Sequence, residues 1–303
     1  MIKFNKTTDK VAIIAPASGC NDQNGALDIE KSYHRLKSTI KLFEDNGFTA
    51  KHDKNIFSIA NLPFFSASKL ERTRQLKEAL ENPEIAIISA LRGGYGCAEI
   101  AFDLMSVKPS GPKILIGFSD ITVLHFLFNQ HYGFPSIHGL FSESYQNMIN
   151  KMLGVLSGEE VKFELQSINT NNKQISGQMI GGNLTVTCTM IGTKLHPDFS
   201  NKIIFLEDVN EKGYHIHRHL MQMYNADLFK GAKAVIFGDF TESDAYMKNS
   251  IDSFAKEYLK DIPTYTTKNL GHGIINKPLA IGGIGTINDN KLIVSSPFEL
   301  TNN

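Results

Sequence analysis

Apolar residues in the first half of the chain form short continuous runs, and between the runs apolar positions recur every three or four residues. Such runs predict strands that are buried on both faces, and the segments between them predict helices. The predicted strands are residues 11–16, 48–51, 85–90 and 114–116. The predicted helices are residues 27–46, 68–82, 98–105 and 121–129. Strands that alternate with helices predict an α/β fold with a parallel sheet covered on both sides.

The pattern changes around residues 145–175, where polar and turn-forming residues interrupt the alternation. Beyond this point the predicted strands are residues 175–180, 202–206, 234–237, 279–281 and 292–295, and the predicted helices are residues 217–224 and 251–259. More glycine turns and less regular alternation predict a mixed or partly antiparallel sheet. We therefore expect an N-terminal α/β domain over residues 1–147, a linker over 148–174 and a smaller C-terminal mixed α/β domain over 175–303.

The composition restricts the class of protein. The chain has 303 residues, of which 42% are hydrophobic, enough for about two domains. It carries 31 basic and 31 acidic residues without a basic stripe, so no nucleic-acid partner is expected. No apolar stretch is long enough to cross a bilayer and no signal peptide is recognisable, which predicts a cytoplasmic protein without a membrane partner. Three widely spaced cysteines predict free thiols in a reducing compartment.

The stretch Gly117-Phe118-Ser119-Asp120 follows a predicted strand and precedes a predicted helix. A serine at such a sharp corner presents its hydroxyl away from the sheet, close to the N–H groups that open the helix, which suits a nucleophile. The full pattern for this corner has a second glycine, and Ile121 stands in its place. The alternative interpretation is an ordinary turn in which Ser119 or Asp120 only caps the helix.

A serine nucleophile needs a base, and the base needs a carboxylate to orient it. His272 lies in a glycine-flanked loop, where its imidazole could face a cleft. Three carboxylates, Glu207, Asp208 and Glu211, follow a predicted strand closely. Local spacing does not choose among them.

Other residue groups indicate binding less specifically. The loop Arg92-Gly93-Gly94-Tyr95-Gly96 would let backbone N–H groups approach a ligand, but it lacks the residues of a nucleotide-binding loop. His215, His217 and His219 could bind zinc from one strand face, whereas on the predicted helix they would diverge. Cys97 has no neighbour in sequence that would lower its pKa. We therefore predict no metal and no cofactor.

Several segments, taken together and in this order, resemble one known family, the L,D-carboxypeptidases. These serine peptidases include muramoyl-tetrapeptide carboxypeptidases and the microcin C self-immunity peptidases. The matching segments run along most of the chain: Ala15-Pro16, Arg92-Gly93-Gly94-Tyr95-Gly96, Gly117-Phe118-Ser119-Asp120, Ile137-His138-Gly139, Gly181-Gly182-Asn183-Leu184, Leu206-Glu207-Asp208-Val209 with Glu211, Tyr214 and Arg218, and Gly271-His272-Gly273.

The resemblance implies a catalytic triad of Ser119, His272 and Glu207, and it selects Glu207 over its neighbours. It also implies an oxyanion hole formed by the backbone N–H groups of Asp120 and Gly93. Family members have an N-terminal domain similar to class I glutamine amidotransferases and a smaller C-terminal domain, are commonly homodimers and need no metal. The implied reaction removes the terminal D-alanine from a murein tetrapeptide during peptidoglycan recycling.

Arg92 is a candidate for binding the carboxylate of this small peptide substrate, or it could only brace its loop. Three other functions remain open. The chain could be an immunity-type peptidase that cleaves aminoacyl-nucleotide analogues, although such relatives tend to be longer. It could be an ordinary α/β-hydrolase esterase, against which the missing glycine of the corner counts. It could also be a non-catalytic protein that binds muropeptides through its glycine loops.

Overall fold

The computed structural model describes residues 1–169 and 174–301. The strands are β1 (Ile2–Phe4), β2 (Lys10–Ile14), β3 (Thr49–His52), β4 (Ile85–Ala90), β5 (Ile114–Gly117), β6 (Ser136–His138), β7 (Val161–Ser167), β8 (Ile175–Asn183), β9 (Lys202–Val209), β10 (Ala234–Thr241), β11 (Thr264–Gly271), β12 (Leu279–Ile281), β13 (Ile284–Asn288), β14 (Lys291–Val294) and β15 (Phe298–Leu300). The α-helices are α1 (Ile29–Asp45), α2 (Lys69–Glu81), α3 (Cys97–Leu104), α4 (Thr122–Phe126), α5 (Ile149–Leu156), α6 (Leu184–Thr189), α7 (Gly213–Asn225) and α8 (Met247–Tyr258). A 3₁₀ turn covers Ser119–Ile121, a second covers Glu143–Met148, and a π-helical turn covers Leu127–His131.

Six strands form the first sheet, in the order β12-β6-β5-β4-β2-β3. All neighbours in it are parallel except β12, which runs antiparallel to β6. Successive residues of the central strands enter opposite cores: Ile87 packs with the α1 side of the sheet, and Ile88 packs with the side of α2 and α3. Burial on both faces explains the unbroken apolar runs of the sequence. The predicted parallel sheet with helices on both sides is confirmed.

The second half of the chain builds a closed barrel of seven strands, in the order β10-β11-β7-β14-β13-β8-β9. The strands β8, β9, β10 and β11 are parallel to one another, and the remaining neighbours are antiparallel. The prediction of a second, mixed α/β unit is therefore confirmed. Because β9, β10 and β11 run in one direction, the residues that end them meet at one rim of the barrel.

The segment 148–174, which the sequence predicts as a linker, holds regular structure in its described part. It contains α5 and β7, and β7 pairs with both β11 and β14 to close the barrel. In β7 the apolar residues Val161, Phe163 and Leu165 point into the core and alternate with exposed polar ones. A short strand with one exposed polar face resembles a polar loop in sequence, so the local pattern predicts a linker here. Residues 170–173 lie outside the described part of the chain.

The two halves of the chain also share strands. β12, which the sequence places in the C-terminal domain, extends the first sheet by pairing with β6, and β1 pairs with β15. The boundary drawn from the sequence therefore does not separate the sheets completely. Within residues 1–169 and 174–301, none of the helices has the length and apolar character needed to cross a bilayer.

A buried arginine fixes the glycine-rich loop that follows β4. The Arg72 side chain is fully buried and pairs with Glu99 at 2.5 Å. Its Nη1 also donates to the carbonyl oxygens of Pro16 and Gly96, at 3.0 and 2.9 Å. These contacts tie α2 to α3 and to the loops that follow β2 and β4.

Candidate active site

Ser119 sits at the corner between β5 and α4, in the left-handed backbone region with φ of 66°. A non-glycine residue in this region is uncommon and tends to occur at functional corners. A side-chain carbon added to Gly117 would lie only 2.6 Å from the Ile121 side chain. Ile121 thus fills the space beside the first glycine of the corner and is itself fully buried. The corner forms although its second glycine is missing, because Ile121 packs into the core.

The glycine-rich loop approaches this serine closely. A carbon added to Gly93 would lie 2.8 Å from Ser119 Cβ and 3.2 Å from Ser119 Oγ. Asp120, directly after the serine, is the second residue of the 3₁₀ turn, and the first N–H groups of a helical turn lack an acceptor within it. Its side chain points elsewhere, accepting a hydrogen bond from the backbone N–H of Cys97 at 2.8 Å. The backbone at Gly93 and Asp120 thus lies beside the serine.

Glu207 and His272 come from the rim of the barrel. Glu207 lies near the end of β9, and His272 directly follows β11. His272 Nδ1 is 2.6 Å from Glu207 Oε2, a short charge-assisted hydrogen bond. Glu207 is fully buried, whereas the His272 side chain keeps 15% of its surface exposed. The ring of Phe118 packs against His272, with 4.6 Å between ring centroids.

The pKa values of this pair move apart. Burial alone would raise the pKa of Glu207, but the charge of His272 and the contacts with His272 and His138 outweigh it and lower the pKa to about 2. Burial alone would lower the pKa of His272, but the charge of Glu207 and their hydrogen bond raise it above its ordinary value. The carboxylate is ionised at neutral pH and stabilises a proton on His272.

The two competing carboxylates lie in other contacts. Asp208, next along β9, accepts hydrogen bonds from Asn183 Nδ2 at 2.7 Å and from Thr185 Oγ1 at 2.8 Å. Glu211 contacts His215 Nδ1 at 2.9 Å. Successive residues of a strand face opposite sides, so only one of Glu207 and Asp208 can face His272. The structure places Glu207 there.

Ser119 and His272 line a cavity of about 480 Å³. Its walls come from both halves of the chain: Arg35, Arg92, Gly93, Gly94, Phe118, Ser119, Leu140, Ser144, Tyr145, Val209 and His272. A larger cavity of about 540 Å³ lies beside β10, β11 and α8, and neither Ser119 nor His272 lines it. The larger cavity lacks the candidate nucleophile and base, so the candidate site is chosen by its residues and not by its volume.

Arg92 lines the cavity, but its guanidinium also contacts the loop after β2. Its Nη1 donates to the carbonyl oxygen of Gly19 and, at 2.8 Å, to Asn21 Oδ1, so the side chain braces the loop after β2. Burial, with a smaller contribution from the charge of Arg35, lowers the pKa of Arg92. Bracing and binding are compatible roles, because a guanidinium has five N–H donors.

Three residues near the site were missed by the sequence analysis as candidates. Arg35, on α1, and Tyr145, in the second 3₁₀ turn, both line the cavity. His138, at the end of β6, is fully buried, with Nε2 3.6 Å from Glu207 Oε1. The sequence showed His138 only as part of a family motif, and nothing local marks Arg35 or Tyr145.

The three histidines of α7 have separate surroundings. His215 contacts Glu211, His217 packs edge-on against Phe254, and His219 Nδ1 lies 3.3 Å from Thr185 Oγ1. Across residues 1–169 and 174–301, no cluster of three His, Cys, Asp or Glu side chains has a geometry that could hold a metal ion. Burial, aided by Asp120, raises the pKa of the Cys97 thiol far above its ordinary value.

Comparison with known proteins gives the family. The model of the LD-carboxypeptidase N-terminal domain matches residues 11–139, and that of the C-terminal domain matches residues 176–287. A Rickettsia conorii protein described as a candidate carboxypeptidase is 33% identical over 96% of this chain and 90% of its own length. The chain belongs to the LD-carboxypeptidase family. It is a serine-type carboxypeptidase, a hydrolase of L–D peptide bonds.

More distant relatives agree along nearly the whole chain. The murein tetrapeptide carboxypeptidase of Pseudomonas aeruginosa is 29% identical over 93% of this chain and 94% of its own. The crystal structure of muramoyltetrapeptide carboxypeptidase from Oxalobacter formigenes superposes with a TM-score of 0.79 at 26% identity, covering 96% of this LD-carboxypeptidase and 100% of that chain. An MccF-like protein from Bacillus anthracis superposes with a TM-score of 0.79 at 20% identity, over 100% of both chains. This last likeness concerns the fold alone.

Proposed function

We propose that this LD-carboxypeptidase removes the terminal D-alanine from murein tetrapeptides, with Ser119 as nucleophile, His272 as general base and Glu207 as the carboxylate that orients it. The observation that supports the assignment best is the 2.6 Å bond between His272 and Glu207, at a cavity that Ser119 also lines. Glu207 contacts His272, and His272 lines the same cavity as Ser119, an arrangement that supports the chain of serine, histidine and carboxylate that a serine hydrolase needs.

In the proposed reaction, His272 Nδ1–H donates to Glu207, which leaves Nε2 free to accept the Ser119 hydroxyl proton. Ser119 Oγ then attacks the carbonyl carbon of the L–D bond, and the carbonyl oxygen becomes an oxyanion. The N–H groups of Asp120 and Gly93 donate hydrogen bonds to it. His272 passes the proton to the D-alanine nitrogen as the C–N bond breaks, leaving an acyl ester on Ser119. Water, deprotonated by His272, attacks that ester, and the tripeptide leaves as Ser119 regains its proton.

We propose that Arg92 and Arg35 bind the terminal carboxylate of the substrate. Both line the cavity with Ser119. Arg35 Nη2 donates to Ser142 Oγ at 3.3 Å, while its buried Nε has no hydrogen-bond partner. A buried donor without an acceptor is costly, and a substrate carboxylate would supply one. An anion between the two guanidinium groups would also relieve their mutual repulsion.

Three broader features are proposals that the family resemblance supports. They are the likeness of the first sheet to class I glutamine amidotransferases, a homodimer, and a cytoplasmic location. Sedimentation equilibrium of the purified protein measures the oligomeric state directly.

The substrate proposal predicts that the wild-type protein shortens a murein tetrapeptide by one alanine, as measured by mass spectrometry. Two matched peptides serve as controls: one ends in L-alanine, and one carries a C-terminal amide in place of the carboxylate. We expect neither to be cleaved at a comparable rate, because the first lacks the L–D bond and the second lacks the charge for the arginines.

An intact tetrapeptide would contradict the substrate proposal. Calorimetric binding of that intact peptide would then favour the muropeptide-binding alternative, and aminoacyl-nucleotide analogues would be the next substrates to test. Equal cleavage of the amidated peptide would contradict carboxylate recognition by Arg35 and Arg92 while leaving the L–D specificity in place.

The close approach of Gly93 predicts the effect of adding one methyl group. In Gly93→Ala the new carbon would lie 2.8 Å from Ser119 Cβ and 2.9 Å from the carbonyl oxygen of Phe118, so the loop must shift. Displacing one oxyanion donor should lower kcat by roughly 10²–10³-fold with a small change in KM. Gly111→Ala is the matched control, because its added carbon meets no atom within 4 Å. Unchanged kcat in Gly93→Ala would exclude Gly93 from the oxyanion hole.

A further inference from the structure

The second oxygen of the Glu207 carboxylate has a neighbour that the triad does not use. Oε2 bonds His272, while Oε1 is buried and has no hydrogen-bond partner. His138 Nε2 lies 3.6 Å from Oε1. This separation exceeds that of an ordinary N–H···O hydrogen bond by about half an ångström. Both side chains are fully buried.

His138 is buried among aromatic rings. Its ring lies 5.0 Å from the ring of Phe205 and 5.7 Å from that of Phe118, centroid to centroid. Both of its nitrogens are buried without a hydrogen-bond partner. A hydrophobic side chain would fill this space without burying two unpaired polar atoms. An imidazole at this point therefore needs a reason other than packing.

The nearest other histidine does not provide that reason. His125 is held by its own bonds: Nε2–H donates to the carbonyl oxygen of Gly117 at 3.0 Å, and Nδ1 accepts from Ser136 Oγ at 2.8 Å. Burial, followed by the influence of His138, lowers the pKa of His125 to about 3, so this ring is neutral. Its ring centroid is 6.4 Å from that of His138. Among these groups, Glu207 Oε1 is the acceptor available to His138.

We propose that His138 is a positioning residue, which donates its Nε2–H to Glu207 Oε1 and fixes the rotation of the carboxylate so that Oε2 faces His272 Nδ1. This inference rests on the proposed triad. A carboxylate held at both oxygens keeps one orientation while the charge on His272 appears and disappears during turnover. Without the hydrogen bond from His138, the Glu207 carboxylate can rotate about its Cγ–Cδ bond, and the hydrogen bond that orients His272 weakens.

Several titratable groups act on the same carboxylate. His272 and His138 face it directly, and Asp208, Asp239 and Tyr145 interact with it electrostatically from β9, β10 and the cavity wall. The two imidazoles each place a ring nitrogen close to one of its oxygens, at 2.6 Å for His272 and 3.6 Å for His138. Asp208 and Asp239 repel it when ionised, so they cannot replace His138 in this role.

The test is a double-mutant cycle on kcat/KM with the tetrapeptide. His138→Leu should lower kcat/KM by roughly 10–100-fold, the usual effect of losing a hydrogen bond to a charged group. Added to Glu207→Gln, the same change should cost less than about threefold, because the group it positions is already gone. His138→Gln, whose amide can still donate, should recover most of the loss. Ser89→Ala is the control for altered packing. It removes a buried hydroxyl in β4, and that hydroxyl has no hydrogen-bond partner.

A second readout separates positioning from a loss of folded protein. In His138→Leu the acid limb of the kcat/KM profile should move to lower pH, because a misplaced Glu207 raises the pKa of His272 less. Urea unfolding midpoints report folding separately. Equal losses from His138→Leu in both backgrounds, or a Gln variant as impaired as the Leu variant, would overturn the inference. If Glu207→Gln alone leaves kcat/KM at the wild-type value, the proposed triad itself fails, and this inference fails with it.

Discussion

Replacing Ser119 with alanine is expected to lower kcat for tetrapeptide cleavage by roughly 10⁶-fold, the scale found when a serine hydrolase loses its nucleophile. Alanine keeps the Cβ atom, so the backbone strain at φ of 66° and the packing of the corner stay as they are. What disappears is the hydroxyl of Ser119. Alanine release measured by mass spectrometry gives the turnover, and titration calorimetry gives substrate affinity, which we expect to change by less than about threefold.

The Ser119→Ala experiment also distinguishes the competing functions. A non-catalytic binding protein predicts equal affinity and no turnover in both proteins. A nucleophile other than Ser119 predicts equal turnover, and that result would remove the basis for the triad. Ser157→Ala, a change at an exposed serine just after α5, controls for the handling of serine variants.

The first sheet could be predicted from sequence because its strands are buried on both faces. The apolar run at residues 85–90 coincides with β4, and the Ser68 side chain caps α2 by accepting from the Glu71 N–H at 3.3 Å, as the sequence pattern indicates. In these elements the local signal and the tertiary environment agree. The local sequence is therefore sufficient to predict these elements.

Two barrel strands, β7 and β11, show why other parts of the fold could not be predicted. β11 reads Thr-Tyr-Thr-Thr-Lys-Asn-Leu-Gly and β7 alternates apolar with polar residues, so neither forms an apolar run. Each is defined by pairing with a strand distant in sequence: β7 pairs with β14, more than a hundred residues away. Barrel closure is a long-range property, and a local pattern holds no information on it.

The same limit applies to the candidate site. The corner at Ser119 is a local feature, and the local sequence predicts it. The choice among Glu207, Asp208 and Glu211 depends instead on which side chain is directed towards the end of β11, from which β9 is separated by β10. Only the register of these three strands brings Glu207 to His272. The family resemblance indicates Glu207 from the sequence motifs, without the register. His138 and Arg35 illustrate the opposite case, since each becomes a candidate only when its neighbours in space are known.

Glu207→Gln is expected to lower kcat by roughly 10⁴-fold. The amide is not a negatively charged acceptor for His272 Nδ1–H, and its NH₂ group can donate to Nδ1 instead, which stabilises the tautomer that cannot accept the serine proton. The pH profile should change as well. His272 must be neutral to accept the serine proton, so activity rises with pH through its pKa. In the wild type the charge of Glu207 raises that pKa above the ordinary histidine value. With glutamine the raising effect of the Glu207 charge is lost while the lowering effect of burial stays, so the acid limb of kcat/KM should move to lower pH.

Two conservative variants are the matched controls for this prediction. Asp208→Asn and Glu211→Gln each neutralise a carboxylate from the same stretch of chain, but neither residue contacts His272; they contact Asn183 and Thr185, and His215, instead. Their acid limbs should lie close to that of the wild type, with a small downward shift at most in Asp208→Asn, because the charge of Asp208 also raises the pKa of His272. A larger shift in either control than in Glu207→Gln would assign the orienting role to that carboxylate. A loss of turnover in Glu207→Gln without any movement of the limb would show that Glu207 supports the site without controlling the proton on His272.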